Sequence, residues 1–233
     1  MTDLVEVWIV CVDVATEDAA RCWEVLDGGE RARAEGFRHD RDRRRFAVAH
    51  GALRILAGRV LAARPAELRW RPGPYGKPEL ARPWSGLHTS LSHSGDLIAT
   101  AISTARPVGV DIQQLTPSAD AIALSARYFP ADEATFVADG ADDGERAERF
   151  TALWARKEAV VKAAGTRLWP NLITAVRDGP VVSCVQPPSA HRVVDVVAPP
   201  GYRAAVALTG VAPFELRAFD WPSQELTAPA MAG

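Results

Sequence analysis

Strand-like and helix-like patterns in this chain fall into two blocks of the same order, and no other feature limits the fold as much. The first block opens on V-E-V-W-I-V-C-V-D-V (Val5–Val14), a strand by its β-branched, alternating run. A short helix pattern covers Glu17–Leu26. Phe46, Ala49, Leu53, Leu56 and Val60 then recur at the spacing of one helical face that ends before Pro65. A Pro/Gly-rich loop at Pro72–Pro83 leads to two strand patterns, Leu87–Ser92 and Leu97–Ser103, with a tight turn at His93–Asp96. The second block opens on the strand Pro107–Gln114. A helix over Ala119–Tyr128 follows, capped by Ser118, then an interruption at Pro130 and a further turn or two at Asp132–Ala138. The longest helix is Glu145–Gly165, with Gly165 suited to its C-terminal cap. Four strands close the block: Val181–Gln186, Arg192–Val197, Tyr202–Leu208 and Glu215–Asp220. The last dozen residues read as a frayed tail. Helices and strands are grouped, not alternated, so the fold class is α+β and not a doubly wound sheet. The repeated order predicts two related halves, residues 1–106 and 107–233, although no residue-level repeat joins them.

Composition narrows the function. Hydrophobic residues make up 48% of the 233 and charged residues 24%, which excludes wholesale disorder. The apolar runs are too short to span a membrane, and Val5–Val14 carries two acids and no A-x-A site, so it is not a leader. The cysteines Cys11, Cys22 and Cys184 lack metal or redox spacing and read as free thiols, which predicts a reduced, cytoplasmic setting. A net charge of −2 implies no bulk attraction to nucleic acid or membrane. The basic residues are lopsided, with 24 Arg and only the lysines Lys77, Lys157 and Lys162. Such usage, with abundant Ala, suggests a GC-rich bacterial coding sequence. Arg replaces Lys as a plain charge but not where a proton must move, so the three lysines carry information.

Each candidate site has a plain reading beside a functional one. Between Arg31 and Arg59 nine Arg face three acids, either as a solvated basic face or as a seat for phosphates. In the Glu145–Gly165 helix, Glu158 and Lys162 are neighbours at i,i+4, either an ordinary surface pair or a paired acid and cation. Lys157 falls inside the apolar stripe of that helix and needs to snorkel or to find a carboxylate partner. In P-V-G-V-D-I-Q-Q, Asp111 sits inside an apolar strand with Gln113 on the same face. Asp111 either bonds backbone or Arg, or joins Glu158 around a hard cation such as magnesium. The turn S-L-S-H-S-G (Ser90–Gly95) is either a Ser-rich hairpin or a cradle for phosphate oxygens. The loop P-Y-G-K-P holds Lys77 and Pro78 and is not a P-loop.

Taken in order, the basic segment, G-K-P, S-H-S-G, G-V-D-I and W-x-x-K-E-A-x-x-K resemble the 4′-phosphopantetheinyl transferases of the surfactin-synthetase-activating type. All three lysines fall within these motifs. The resemblance implies a pseudo-dimer of two similar α+β halves with coenzyme A in the cleft between them. It implies transfer of the 4′-phosphopantetheine arm of coenzyme A to a serine of an acyl or peptidyl carrier protein, releasing adenosine 3′,5′-bisphosphate. Magnesium, or manganese in its place, is the implied metal. By motif position, Asp111 and Glu158 are metal ligands and Glu158 the base for the carrier serine. Lys162 contacts the phosphates and assists the leaving group. Ser92, His93, Arg33 and Arg45 (with Arg31 as an alternative) hold phosphates, while Lys77 and Pro78 lie beside the adenine nucleotide. Gln113 stands where many members have Glu, which makes it a weaker third metal ligand. The carrier is expected to dock on apolar residues around Ala119–Phe136, and the internal pseudo-symmetry predicts a monomer. Competing readings are a non-catalytic coenzyme A-binding protein, a metal-dependent phosphohydrolase and an RNA-binding protein.

Overall fold

A computed structural model describes residues 2–73 and 75–221. The frayed tail expected over the last dozen residues lies outside the described residues. The chain is α+β. Strand β1 (Asp3–Cys11) is followed by helices α1 (Thr16–Glu24), α2 (Gly28–Glu35) and α3 (Asp40–Leu61). A short hairpin, β2 (Trp70–Pro72) and β3 (Pro78–Leu80), precedes β4 (His88–Ser94) and β5 (Leu97–Ser103). The second run comprises β6 (Val108–Gln114), α4 (Ser118–Tyr128), α5 (Ala131–Ala138), α6 (Asp143–Ala164), β7 (Val181–Cys184), β8 (Ser189–Val196), β9 (Tyr202–Thr209) and β10 (Phe214–Trp221).

Two four-stranded sheets result, ordered β10-β1-β5-β4 and β6-β9-β8-β7. Their inner faces pack on one another through period-2 positions. Val5, Val7, Ile9, Ala99 and Ala101 from the first sheet meet Val108, Val110, Ile112, Val206 and Leu208 from the second. The intervening residues of β1, Trp8 and Val10, face outward onto α3, where Val48, Ala52 and Leu56 bury them. On the far side, Phe150, Leu153 and Ala159 of α6 pack on Val193, Ala205 and Ala207. Among the described residues no helix is long and apolar enough to cross a membrane.

The structure corrects several expectations from sequence. Residues 214–221 do not close the second sheet: β10 lies parallel to β1 in the first, from Asp3↔Phe214 to Val10↔Trp221. Although it belongs to the stretch 107–233, β10 joins the first sheet, where it covers an edge of β1 that would otherwise present open backbone groups. Ser118 does not cap α4. It is the first helical residue, and its hydroxyl donates to Asp143 Oδ1 at 2.8 Å. The Pro72–Pro83 loop contains the β2–β3 hairpin. The charged stretch from Arg31 hides α2, whose Asp27 and Glu30 form a reciprocal capping box.

Candidate active site

The long helix positions the acids. Asp142 caps α6 by accepting from Glu145 N–H, and Gly165 ends it in the left-handed conformation at φ 63°. Mid-strand Gly109 lets β6 approach α6 at backbone contact: a Cβ there would stand 2.1 Å from Ala159 O and 2.3 Å from Ala163 N. That approach sets Asp111 opposite Glu158 and Lys162. Lys162 Nζ lies 2.7 Å from Asp111 Oδ1 and 3.9 Å from Glu158 Oε2. Ser92 Oγ donates to the same Asp111 oxygen at 2.6 Å and accepts from Lys162 at 3.0 Å. Among the described residues, buried Asp111 Oδ2 has no hydrogen-bond partner.

A cleft of about 550 Å³ opens above this cluster, between α2, α3 and β4 on one side and β6 and α6 on the other. Arg33, Arg45, Ser92 and His93 line it from the N-terminal half, and Asp111, Gln113, Glu158 and Lys162 from the second. Arg33 and Lys162 also line an adjoining cavity of about 470 Å³, as do Lys77 and Pro78. Eight of the ten residues singled out from sequence thus share one cleft, with the other two next door. Lys77 turns its ammonium away, donating to Val108 O at 2.8 Å, and burial brings its pKa down to about 8 against the pull of Glu79. Arg31 does not line the cleft: it donates to Glu24 O. Arg45 pairs with Asp42 at 2.6 Å.

Burial dominates the electrostatics. It raises the Asp111 carboxyl above the ordinary range, although Lys162 and Ser92 pull the other way. It raises the Glu158 carboxyl too, with Lys162 opposing and Asp111 adding to the shift. His93 is held below the usual imidazole range by burial and by the charges of Arg45 and Lys162. Among the described residues no three His, Cys, Asp or Glu side chains converge on a metal position. Asp111 and Glu158, with the Gln113 amide on the cleft wall, remain as donors. Two carboxylates, one with a buried free oxygen, fit a hard divalent cation completed by ligand oxygens and water.

Sequence reasoning missed the floor shared by the two cavities. His50 lines both, stacks on Phe46 at 4.0 Å between ring centroids, and has Nδ1 3.4 Å from Glu30 Oε1. The Arg33 guanidinium lies 5.1 Å from the Phe46 ring centre. Behind them Arg54, fully buried, pairs with Asp27 at 2.5 Å and Glu30 at 2.6 Å. The sequence carried little signal for this: Arg54 lies about 100° round the helix from Leu53, off the face marked by Phe46, Ala49, Leu53, Leu56 and Val60, and its burial follows from α2 packing on α3. Lys157, flagged by its place in the apolar stripe of α6, is buried with Glu133 at 2.6 Å and takes no part in the cleft.

A family model for the 4′-phosphopantetheinyl transferase superfamily matches residues 107–184. The Synechocystis protein slr0495 is 33% identical over 66% of this chain, which covers 63% of that relative's length. The 4′-phosphopantetheinyl transferase HetI of Nostoc is 31% identical over 71% of this chain and 70% of its own. The 4′-phosphopantetheinyl transferase Sfp of Bacillus subtilis is 24% identical over 83% of this chain and 86% of its own.

Proposed function

This chain belongs to the 4′-phosphopantetheinyl transferase family, and from that premise we propose that it moves the 4′-phosphopantetheine arm of coenzyme A to a serine of an apo acyl or peptidyl carrier protein. The observation that carries the reading is the convergence of Asp111, Glu158 and Lys162 beneath Arg33, Arg45 and His93 in one cleft. In the same reading the two sheets with their helices are the halves of a pseudo-dimer, residues 1–106 and 107–213, with the returned strand β10 locking them. The protein acts as a monomer in the cytoplasm.

The carrier hydroxyl attacks the β-phosphorus of the diphosphate, and the P–O bond to adenosine 3′,5′-bisphosphate breaks. Arg33, Arg45 and His93 hold phosphate oxygens, and the cavity beside Lys77 and Pro78 takes the nucleotide. Glu158 accepts the serine proton, and its burial makes it a stronger base than an exposed carboxylate. Lys162 donates to the departing oxygen, which an arginine would not do as an acid. Magnesium, or manganese in its place, would be held by Asp111 and Glu158 with Gln113 as an auxiliary donor, and would supply charge neutralisation to the phosphates.

Intact-mass spectrometry of an apo carrier protein, incubated with this chain, coenzyme A and magnesium, tests the reading. The expected result is a gain of one phosphopantetheine, reduced at least a hundredfold in rate by Glu158→Gln. Coenzyme A binding with no gain on fatty-acid, polyketide or peptide carriers favours the non-catalytic binding protein. Gln113 would then be the residue to restore to Glu.

A further inference from the structure

The two acids of the cleft already have a cation. Lys162 Nζ contacts Asp111 Oδ1 at 2.7 Å and stands 3.9 Å from Glu158 Oε2, so one ammonium lies between both carboxylates. A divalent ion brought to the same pair meets a positive charge within a few ångströms, beside an Asp111 that is itself buried. The ammonium is also held. Ser92 Oγ accepts from it at 3.0 Å while donating to Asp111 at 2.6 Å. Ser92 is itself fixed by its neighbours on β4. The hydroxyls of Ser90 and Ser94 accept from Val110 N–H and Gln114 N–H, both at 3.0 Å, pinning β4 to β6 on either side of it. The other Asp111 oxygen, Oδ2, has no hydrogen-bond partner among the described residues and is not used by this latch. Lys162 has room to leave, since its side chain is 28% exposed and lines both cavities. A diphosphate in the cleft offers it a competing anion.

We propose that Lys162, latched on Asp111 by Ser92, is the resident cation of the Asp111–Glu158 pair, and that it makes tight divalent-metal binding conditional on a diphosphate that draws the ammonium away. The metal then enters with coenzyme A or after it, not before. Ser92 is on this account a positioning residue, not a phosphate contact. The inference rests on the functional reading above and adds an order of binding to it.

The test is Mn²⁺ titration of the full chain without nucleotide, followed by the loss of the free-ion electron paramagnetic resonance signal. Wild type should bind Mn²⁺ weakly. Lys162→Met should bind it on the order of tenfold more tightly, and Lys162→Arg, which keeps the charge, should stay near wild type. Ser92→Ala, a milder change, should give a gain of a few-fold. A residue with a merely structural role would lose metal affinity on substitution, so the direction of change is diagnostic. Thermal unfolding of each variant checks its fold. Coenzyme A binding is measured separately by calorimetry. If coenzyme A binds but neither Lys162→Met nor Ser92→Ala gains Mn²⁺ affinity, the latch is overturned alone. If coenzyme A does not bind, the functional reading is overturned and the latch with it.

Discussion

Lys157 and Lys162 share one helix and serve different ends. Lys162 faces the cleft. Lys157 is fully buried, donates to Thr174 O at 2.5 Å, and lies 4.4 Å from the centre of the Phe129 ring. Its partner Glu133 is equally buried and also accepts from Val176 N–H and Arg177 N–H, so the pair ties α5, α6 and the segment before β7 together. Removing one partner strands the other. Glu133→Ala is expected to cost about 3–5 kcal/mol, while the double change Lys157→Met with Glu133→Leu should recover most of that loss. Chemical denaturation of the three proteins decides it. His191 sets a pH dependence. Burial, with Lys77 nearby, brings its pKa down to about 4 from 6.5. Its neutral form is favoured in the fold, so its contribution is complete above pH 6.5 and is lost as pH falls toward 4. Glu30 extends the same trend. Burial would raise its carboxyl, but hydrogen bonds from His50 and Arg54 and the Arg54 charge bring it to about 2, so its contribution disappears between pH 4.5 and 2. Melting temperature should therefore decline in two steps on acidification, and His191→Asn should flatten the upper one.

At the scale of elements, close approach governs the site. Strand β6 meets α6 where Gly109 has no side chain, and Asp111 is two residues further along the same face. Gly109→Ala would push a methyl group into backbone atoms that cannot yield. It should cost about 3 kcal/mol and displace Asp111 from Lys162, so stability and transfer rate fall together. A variant with wild-type melting temperature would refute this account of the packing. The same elements show what was legible beforehand. The i,i+4 spacing of Glu158 and Lys162, the apolar setting of Asp111 and the demand of Lys157 for a carboxylate were all readable. Helix α2 was readable in principle from Asp27 and Glu30, but its charge density hid it. The cap assigned to Ser118 failed because Asp143 offered that hydroxyl a tertiary partner that no local pattern contains.

For the whole molecule, β10 is the element that resists division into halves. It pairs along the length of β1, and Phe219 stacks on Trp8 at 4.4 Å between centroids. Ending the chain after Pro213 should abolish the cooperative unfolding transition, because β1 loses one whole hydrogen-bonded neighbour and Trp8 loses its cover. Circular dichroism of that truncation against the full chain checks it. Sequence alone determined the class of elements, their grouped order, the odd lysines and the motif set that resembles one enzyme family, because periodicity and local chemistry are written in neighbouring residues. It did not determine that β10 returns to β1, or that Arg54 gathers Asp27 and Glu30 behind His50. Nor did it determine that Lys162 and Ser92 share a single oxygen of Asp111. Those outcomes join residues far apart in the chain, and they depend on which buried faces, charges and open strand edges find partners once the two sheets have packed.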